Sequence, residues 1–528
     1  MDNKKIKIVS IISIIALALT LVAATYAFFV AQTGEGAQTD IKINANTVDT
    51  FTFEVGSALN LSLNQENFAS GKGNQTGTTF AKAMLTANNK TNTATEHYYL
   101  YLNISNNTFT YSIDNNTPEI LLSIKDGSNN EITTLTGLTY KTVTDGKGAS
   151  IKGFDITNKK GLITILNNRE ITTTSSKTEE WNVTVTFVNY NSNQAGNAGK
   201  NFSAKLMIQK EKIPTVLSDV CTSGNNLASC ITTLSNKSEP SIVNIYHHTS
   251  SLVNGAGDNS YRYAGASDQV NNFVCFGSDA ATCPTDNLYR IIGVINDKVK
   301  LIKYDYMTTD ELGTDGDYSQ TYKEWGMDSA YKGTYGDGER IGAYYWNNDA
   351  GTNTWSRSLL NKTNLNTNFI NYIGTEWSNK IATTTWKVGG NTWTNICIKT
   401  PSVAYTNEIT SPDATNSTDN AIEYSAKIGL MYVSDYGFAA SPEAWTITMS
   451  SYSNTTATNN NWMYMGLYEW TISRDSYGSH SAFFVGSAGH VDRDDVSVDS
   501  GVRASFSLSS STTYVSGSGS MSDPIRVN

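Results

Sequence analysis

The densest group of side chains capable of chemistry in this chain lies near its C-terminus, in the segment VGSAGHVDRDDVSVDSGVRASFSL (485–508). Asp492, Arg493, Asp494 and Asp495 stand together, His490 precedes them and Asp499 follows. Tyr477, Ser479 and His480 lie just upstream, and Ser487, Ser497 and Ser500 complete the set. Only 16% of the 528 residues are charged, against about a quarter in ordinary globular chains. A polar cluster this late is therefore a local feature. Its residue types allow two kinds of chemistry. One is a Ser/His/Asp nucleophilic arrangement built on His480 or His490, but in a stretch so rich in these types their proximity is expected by chance. The other is recognition: short polar side chains supply adaptable hydrogen bonds, with Trp470 and Tyr477 as aromatic anchors, as in antibody paratopes. The second reading makes Tyr477–Ser481 and Gly486–Ser500 exposed ligand-binding loops. Its plainer alternative is a solvated loop with ordinary Ser/Asp/Gly turn chemistry.

Other candidates are weaker. GTDGDYSQ (313–320) places Asp315, Asp317 and Ser319 like the start of a calcium loop, but Gln320 stands where that loop needs Gly. His247 and His248 are adjacent, and neighbours on a strand point to opposite faces, so an exposed loop pair is expected rather than a metal site. No Gly-rich phosphate loop precedes a helix, and neither a metal nor a cofactor is expected. The net charge of −10 leaves no basic footprint for nucleic acid. Five cysteines occur: Cys221/Cys230 and Cys275/Cys283 at short spacings, and Cys397 alone. Neither pair has the two-residue gap of a zinc knuckle, so both are expected as loop-stapling disulfides, with Cys397 a small buried apolar residue.

These side chains need elements to hold them. The run Ile8–Ala31 is uncharged and follows Lys4, Lys5 and Lys7. It is long enough to span a bilayer, and Thr25-Tyr26-Ala27 also offers a cleavage site. Residues 1–32 are thus a membrane anchor or a signal peptide, and either exports the rest, anchored at the cell surface or secreted. Residues 33–212 have the rhythm of an all-β sandwich stalk: TFTFEVG, HYYLYLNIS, ILLSIKD, GLITIL, WNVTVTFVNY and FSAKLMIQ are short β-rich runs. In the fifth, Trp181, Val183, Val185 and Phe187 alternate as a half-buried strand should. Residues 213–260 are expected as a connector with one short helix, in which Leu227, Ile231 and Leu234 recur at helical spacing.

Residues 261–528 mix strands and helices. LYRIIGVINDKVKLIKYDY predicts a hairpin turning at Asn296-Asp297. The spacing of Leu360, Leu365, Phe369, Ile370 and Ile373 predicts a helix stopped by Gly374. GVRASFSL alternates Val502, Ala504, Phe506 and Leu508 as a strand.

The order of hairpin, SLLNKTNLNTNFINYIGTEWSNKI, GLMYVSDYG, YEWTISR, AFFV and GVRASFSL resembles a bacterial C-type-lectin-like domain related in fold to formylglycine-generating enzymes. The resemblance implies an α+β domain with Trp470, Arg474, Gly501 and Arg503 as framework positions. It departs at Ala504, where that family commonly has Pro. The enzymes of that kind use a pair of active-site cysteines with copper, and Cys397 has no neighbour in sequence, so no enzyme is expected. Lectin-like domains of this type are also targets of diversity-generating retroelements. Rewriting the adenines of an Asn codon yields Ser, Asp, His, Gly, Arg or Val, the types crowded into 477–500. TYAFFVAQTGEGAQTDIKINA resembles the start of camelysin-like and biofilm-fibre-like proteins of Gram-positive bacteria. The expectation is a multidomain surface binding protein, adhesin or receptor-like, recognising an extracellular protein or glycan. A structural fibre or matrix subunit is the alternative, and a formylglycine-generating-like enzyme the second.

Overall fold

The computed structural model describes residues 49–63, 71–88, 92–348, 352–413, 415, 421–453 and 455–528. The expected membrane segment, 1–32, lies outside the described residues. Among the described residues no helix is long and apolar enough to cross a membrane. The chain is mostly β-sheet, with several sheets and few helices, and divides into two compact units at Lys212/Ile213.

In the first unit, six strands form one antiparallel sheet and four form another. The strand Ser176–Phe187 is central to the larger sheet, pairing with Gln75–Thr86 on one side and Ile120–Asp126 on the other. Its Val183, Val185 and Phe187 meet Leu100, Leu102 and Ile104 of Ala94–Asn107, from the smaller sheet, in one shared core. The alternation in WNVTVTF thus turns one face inward, as period-two side-chain placement requires. All six runs expected as strands contain one. Gln75–Thr86 was not anticipated, because its core face is built partly from the small Ala81 and Ala83.

The second unit begins at Ile213, which corrects the expected connector. Residues 213–260 belong to this unit. Asn226 caps the helix Leu227–Lys237 by accepting from the Ser229 amide, and Leu227, Ile231 and Leu234 are buried in the main core. His248, expected in an exposed loop, is fully buried: its ring packs against Phe438 and Trp445, and its Nδ1 accepts from the Ala256 amide at 3.0 Å.

The predicted hairpin is Leu288–Ile295 and Lys298–Lys303, and Asn296 and Asp297 both adopt positive φ (49° and 59°). Two left-handed residues match the right-handed twist of the strands they join. This hairpin lies inside a nine-stranded sheet, and Ser505–Ser507 pairs with its second strand. Every residue from Ser500 to Leu508 is buried, including the polar positions of the expected alternation. The segment is packed on both faces, so the pattern of Val502, Ala504, Phe506 and Leu508 does not mark a solvent side. Gly374 (φ 77°) leaves the helical conformation, as expected of a stop, and a separate helical turn follows it to Ser378.

Both expected disulfides form, Cys221–Cys230 and Cys275–Cys283, with Cα separations of 5.5 and 5.8 Å. They fit an oxidising, extracellular compartment. Cys397 is free and buried, and burial pushes its thiol well above the ordinary range.

Candidate functional site

The late polar segment is not a pair of loops. Glu469–Arg474, Ser481–Val485 and Val491–Asp495 form a three-stranded antiparallel sheet, in which Ala482 opposes Asp494 and Phe484 opposes Asp492. The run Asp492–Asp495 is therefore strand, correcting the loop expectation. Its neighbours are covered on both faces: consecutive Phe483, Phe484 and Val485 are all buried, as is Val491.

Trp470 is fully buried and donates from Nε1 to the Tyr344 carbonyl at 2.9 Å. It is an interior side chain, not the exposed aromatic anchor expected. Arg503 is likewise buried, and its guanidinium holds Glu469 through two bonds of 2.8 Å and the Met463 carbonyl at 2.7 Å. Arg474 is buried in the sheet's first strand and reaches the Asp413 carbonyl at 3.4 Å. Gly501 is buried and its amide meets the Tyr468 carbonyl and the Tyr322 hydroxyl. These four positions are interior, as framework residues are.

The ligand-binding candidates separate into two groups. Asp492 accepts from the Trp393 indole at 2.7 Å, and Arg493 pairs with the buried Asp475 while lying 5.9 Å from the Tyr477 ring centre. Asp495 accepts from the amide and hydroxyl of Ser497, closing the turn after the strand. Asp499 accepts from Gln320 at 2.9 Å. Ser500 is buried in a strand beside Tyr344, which removes it from any surface.

The turn Gly486–His490 is also packed. Gly489 has φ 95°, its carbonyl accepts from Tyr436, and a Cβ there would meet Thr458 at 2.6 Å. Ser487 gives its carbonyl to Tyr464, and His490 sits edge-on to Phe484.

What remains open to solvent is narrower. Tyr477 is 75% exposed, and Ser479, His480, Asp494, Ser497 and Val498 are exposed beside half-buried Asp495 and Asp499. The Tyr477–His480 loop is rigidly held. Asn353, from a distant segment, places its side-chain nitrogen 2.8, 2.9 and 2.8 Å from the carbonyls of Asp475, Gly478 and Ser481, and its amide donates to Ser479. Such an arrangement can present hydrogen-bonding groups and one ring on a fixed frame.

Among the described residues no group of three or more His, Cys, Asp or Glu is placed to hold a metal ion. Asp317, from the calcium-like stretch, is buried and instead accepts from the amides of Asn348 and Leu360.

A second opening escaped the sequence reading: a cleft lined by Asp258, Arg262, Lys300 and Asp435 together with aromatic side chains. In sequence, the hairpin that lines it carries Lys298 and Lys300 at alternate positions. Comparison with protein-family models, with curated proteins and with solved structures finds no match for this chain.

Proposed function

We propose that this chain is an exported cell-surface binding protein: a membrane segment or signal at 1–32, a β-sandwich stalk, and a C-type-lectin-like head that recognises an extracellular protein or glycan without catalysis. The observation that carries this reading is Tyr477. Its ring is 75% exposed, yet the loop beneath it is fixed by Asn353 and by the Arg493–Asp475 pair. A solvent-exposed aromatic on a preorganised backbone loses little entropy when it docks, which favours affinity. His480, Ser479, Asp494 and Ser497 flank it as polar contacts, and the set is the surface on which codon diversification would act.

Arrays of glycans and of extracellular proteins probed with the full chain test the reading, using Tyr477→Ala and His480→Ala as comparators. A ligand lost in both variants is the expected result. Unchanged binding by both would remove this surface from the function. For diversification, the expected finding is a near-identical, adenine-rich repeat beside a reverse-transcriptase gene at the locus, and its absence would refute that part.

A further inference from the structure

The cleft in the second unit has a volume of about 180 Å³, and none of the exposed residues around Tyr477 lines it. Its floor is a charged network. Asp435 accepts from Lys300 at 2.5 Å and from Arg262 at 3.0 Å, and Arg262 also reaches Asp258 at 2.8 Å. The rings of Tyr405 and Tyr432 form its sides, with the Arg262 guanidinium 5.5 Å from the first and the Lys300 ammonium 4.4 Å from the second. At the hairpin end sits Lys298, which makes no ion pair among the described residues, while Lys387 pairs with Glu423.

The lining holds four cations (Arg262, Lys298, Lys300, Lys387) against two carboxylates (Asp258, Asp435). Counting Glu423 and also Glu408, which accepts from the lining Ser434, balances the four cations, and Lys298 is left as the cation with no ion pair among the described residues. Two other buried ion pairs of this unit, Lys303–Glu311 and Arg503–Glu469, do not line the cleft. Those pairs are shut in the interior. The cleft network lines an opening; Arg262, Lys300 and Asp435 are themselves buried, and Asp258 is its most accessible member.

We propose that this cleft binds a small acidic sugar. The volume is below the roughly 300–1,000 Å³ typical of sites for drug-sized ligands, which suits a single ring. A phosphate dianion would be repelled by Asp258 and Asp435. A sugar acid instead uses every wall: its one carboxylate meets Lys298, its hydroxyls donate to Asp258, and the apolar face of its ring lies against Tyr405. Isolated hydrogen bonds to charged groups are among the stronger polar contacts.

The test is calorimetric titration of the full chain with glucuronate, N-acetylneuraminate, glucose and inorganic phosphate. The expected result is binding of at least one sugar acid, with glucose and phosphate weaker by about tenfold or more. Lys298→Ala should weaken the sugar acid by about tenfold and leave the melting temperature in place; Tyr405→Ala should weaken it similarly and lower the melting temperature, because its ring packs against Phe438 and Arg262; Ser479→Ala should change neither. No binding of either sugar acid overturns the proposal. So does equal binding of glucose, of phosphate, or of the sugar acid by both cleft variants. Because Ser479 belongs to the other surface, a failure here is distinguishable from a failure of the Tyr477 reading.

Discussion

Mild acid should destabilise this protein through one buried imidazole. His248 is fully buried between Phe438 and Trp445, its Nδ1 accepts from the Ala256 amide, and its Nε2 has no hydrogen-bond partner. Burial first, and then the nearby Arg262 charge, push its pKa down to about 3. In the unfolded chain the same group titrates near about 6.5. The unfolded state therefore binds the extra proton between these values, so stability is intact above about pH 6.5 and falls as pH drops toward 3. By pH 5 the loss is about 2 kcal/mol, and it grows by about 1.4 kcal/mol per further unit until the folded pKa is reached. For a domain of this size that is about 4 °C in melting temperature at pH 5.

Urea melts at pH 7.5, 6, 5.5 and 5 read the effect above the range in which ordinary carboxylates titrate. His248→Phe should be less stable at pH 7.5, since the Ala256 amide loses its acceptor, but its stability should be flat from pH 7.5 to 5. If the variant retains the slope of the parent, the proton uptake belongs elsewhere and the reasoning fails.

Two further outcomes are expected. Arg493→Ala should cost about 1–3 kcal/mol, because it strips a partner from buried Asp475 at a site that water can partly refill; Asp494→Ala, exposed on the same strand, should stay within about 0.5 kcal/mol. Equal costs in thermal melts would contradict the division of that strand into structural and exposed positions. Arg503→Met should cost about 3–5 kcal/mol by stranding Glu469, and the double variant Arg503→Met/Glu469→Leu should recover much of it; a double variant as unstable as the sum of the two single changes would refute the coupling.

What the sequence made legible follows from how far each signal reaches along the chain. Trp181, Val183, Val185 and Phe187 announce their strand because one face is dry and the other wet. Asn296-Asp297 announces its hairpin because the turn demands left-handed residues. Leu227, Ile231 and Leu234 announce a helix but not what it packs against, so 213–260 looked like a connector. The late segment misled for a related reason. Asp492 is hydrogen-bonded by an indole 99 residues away and Arg493 is paired with Asp475, so polar letters that read as solvated loop lie partly inside a sheet. His248 was hidden likewise: its aromatic partners lie almost two hundred residues downstream.

The grip of Asn353 on three main-chain carbonyls has a consequence for change over time. Because the hold is on backbone and comes from outside the segment, it does not itself depend on which side chains stand at 477, 479 and 480. Replacing them alters what is offered to a partner without altering where it is offered. Asn353 itself has no such freedom, since its side chain is what draws those three carbonyls together.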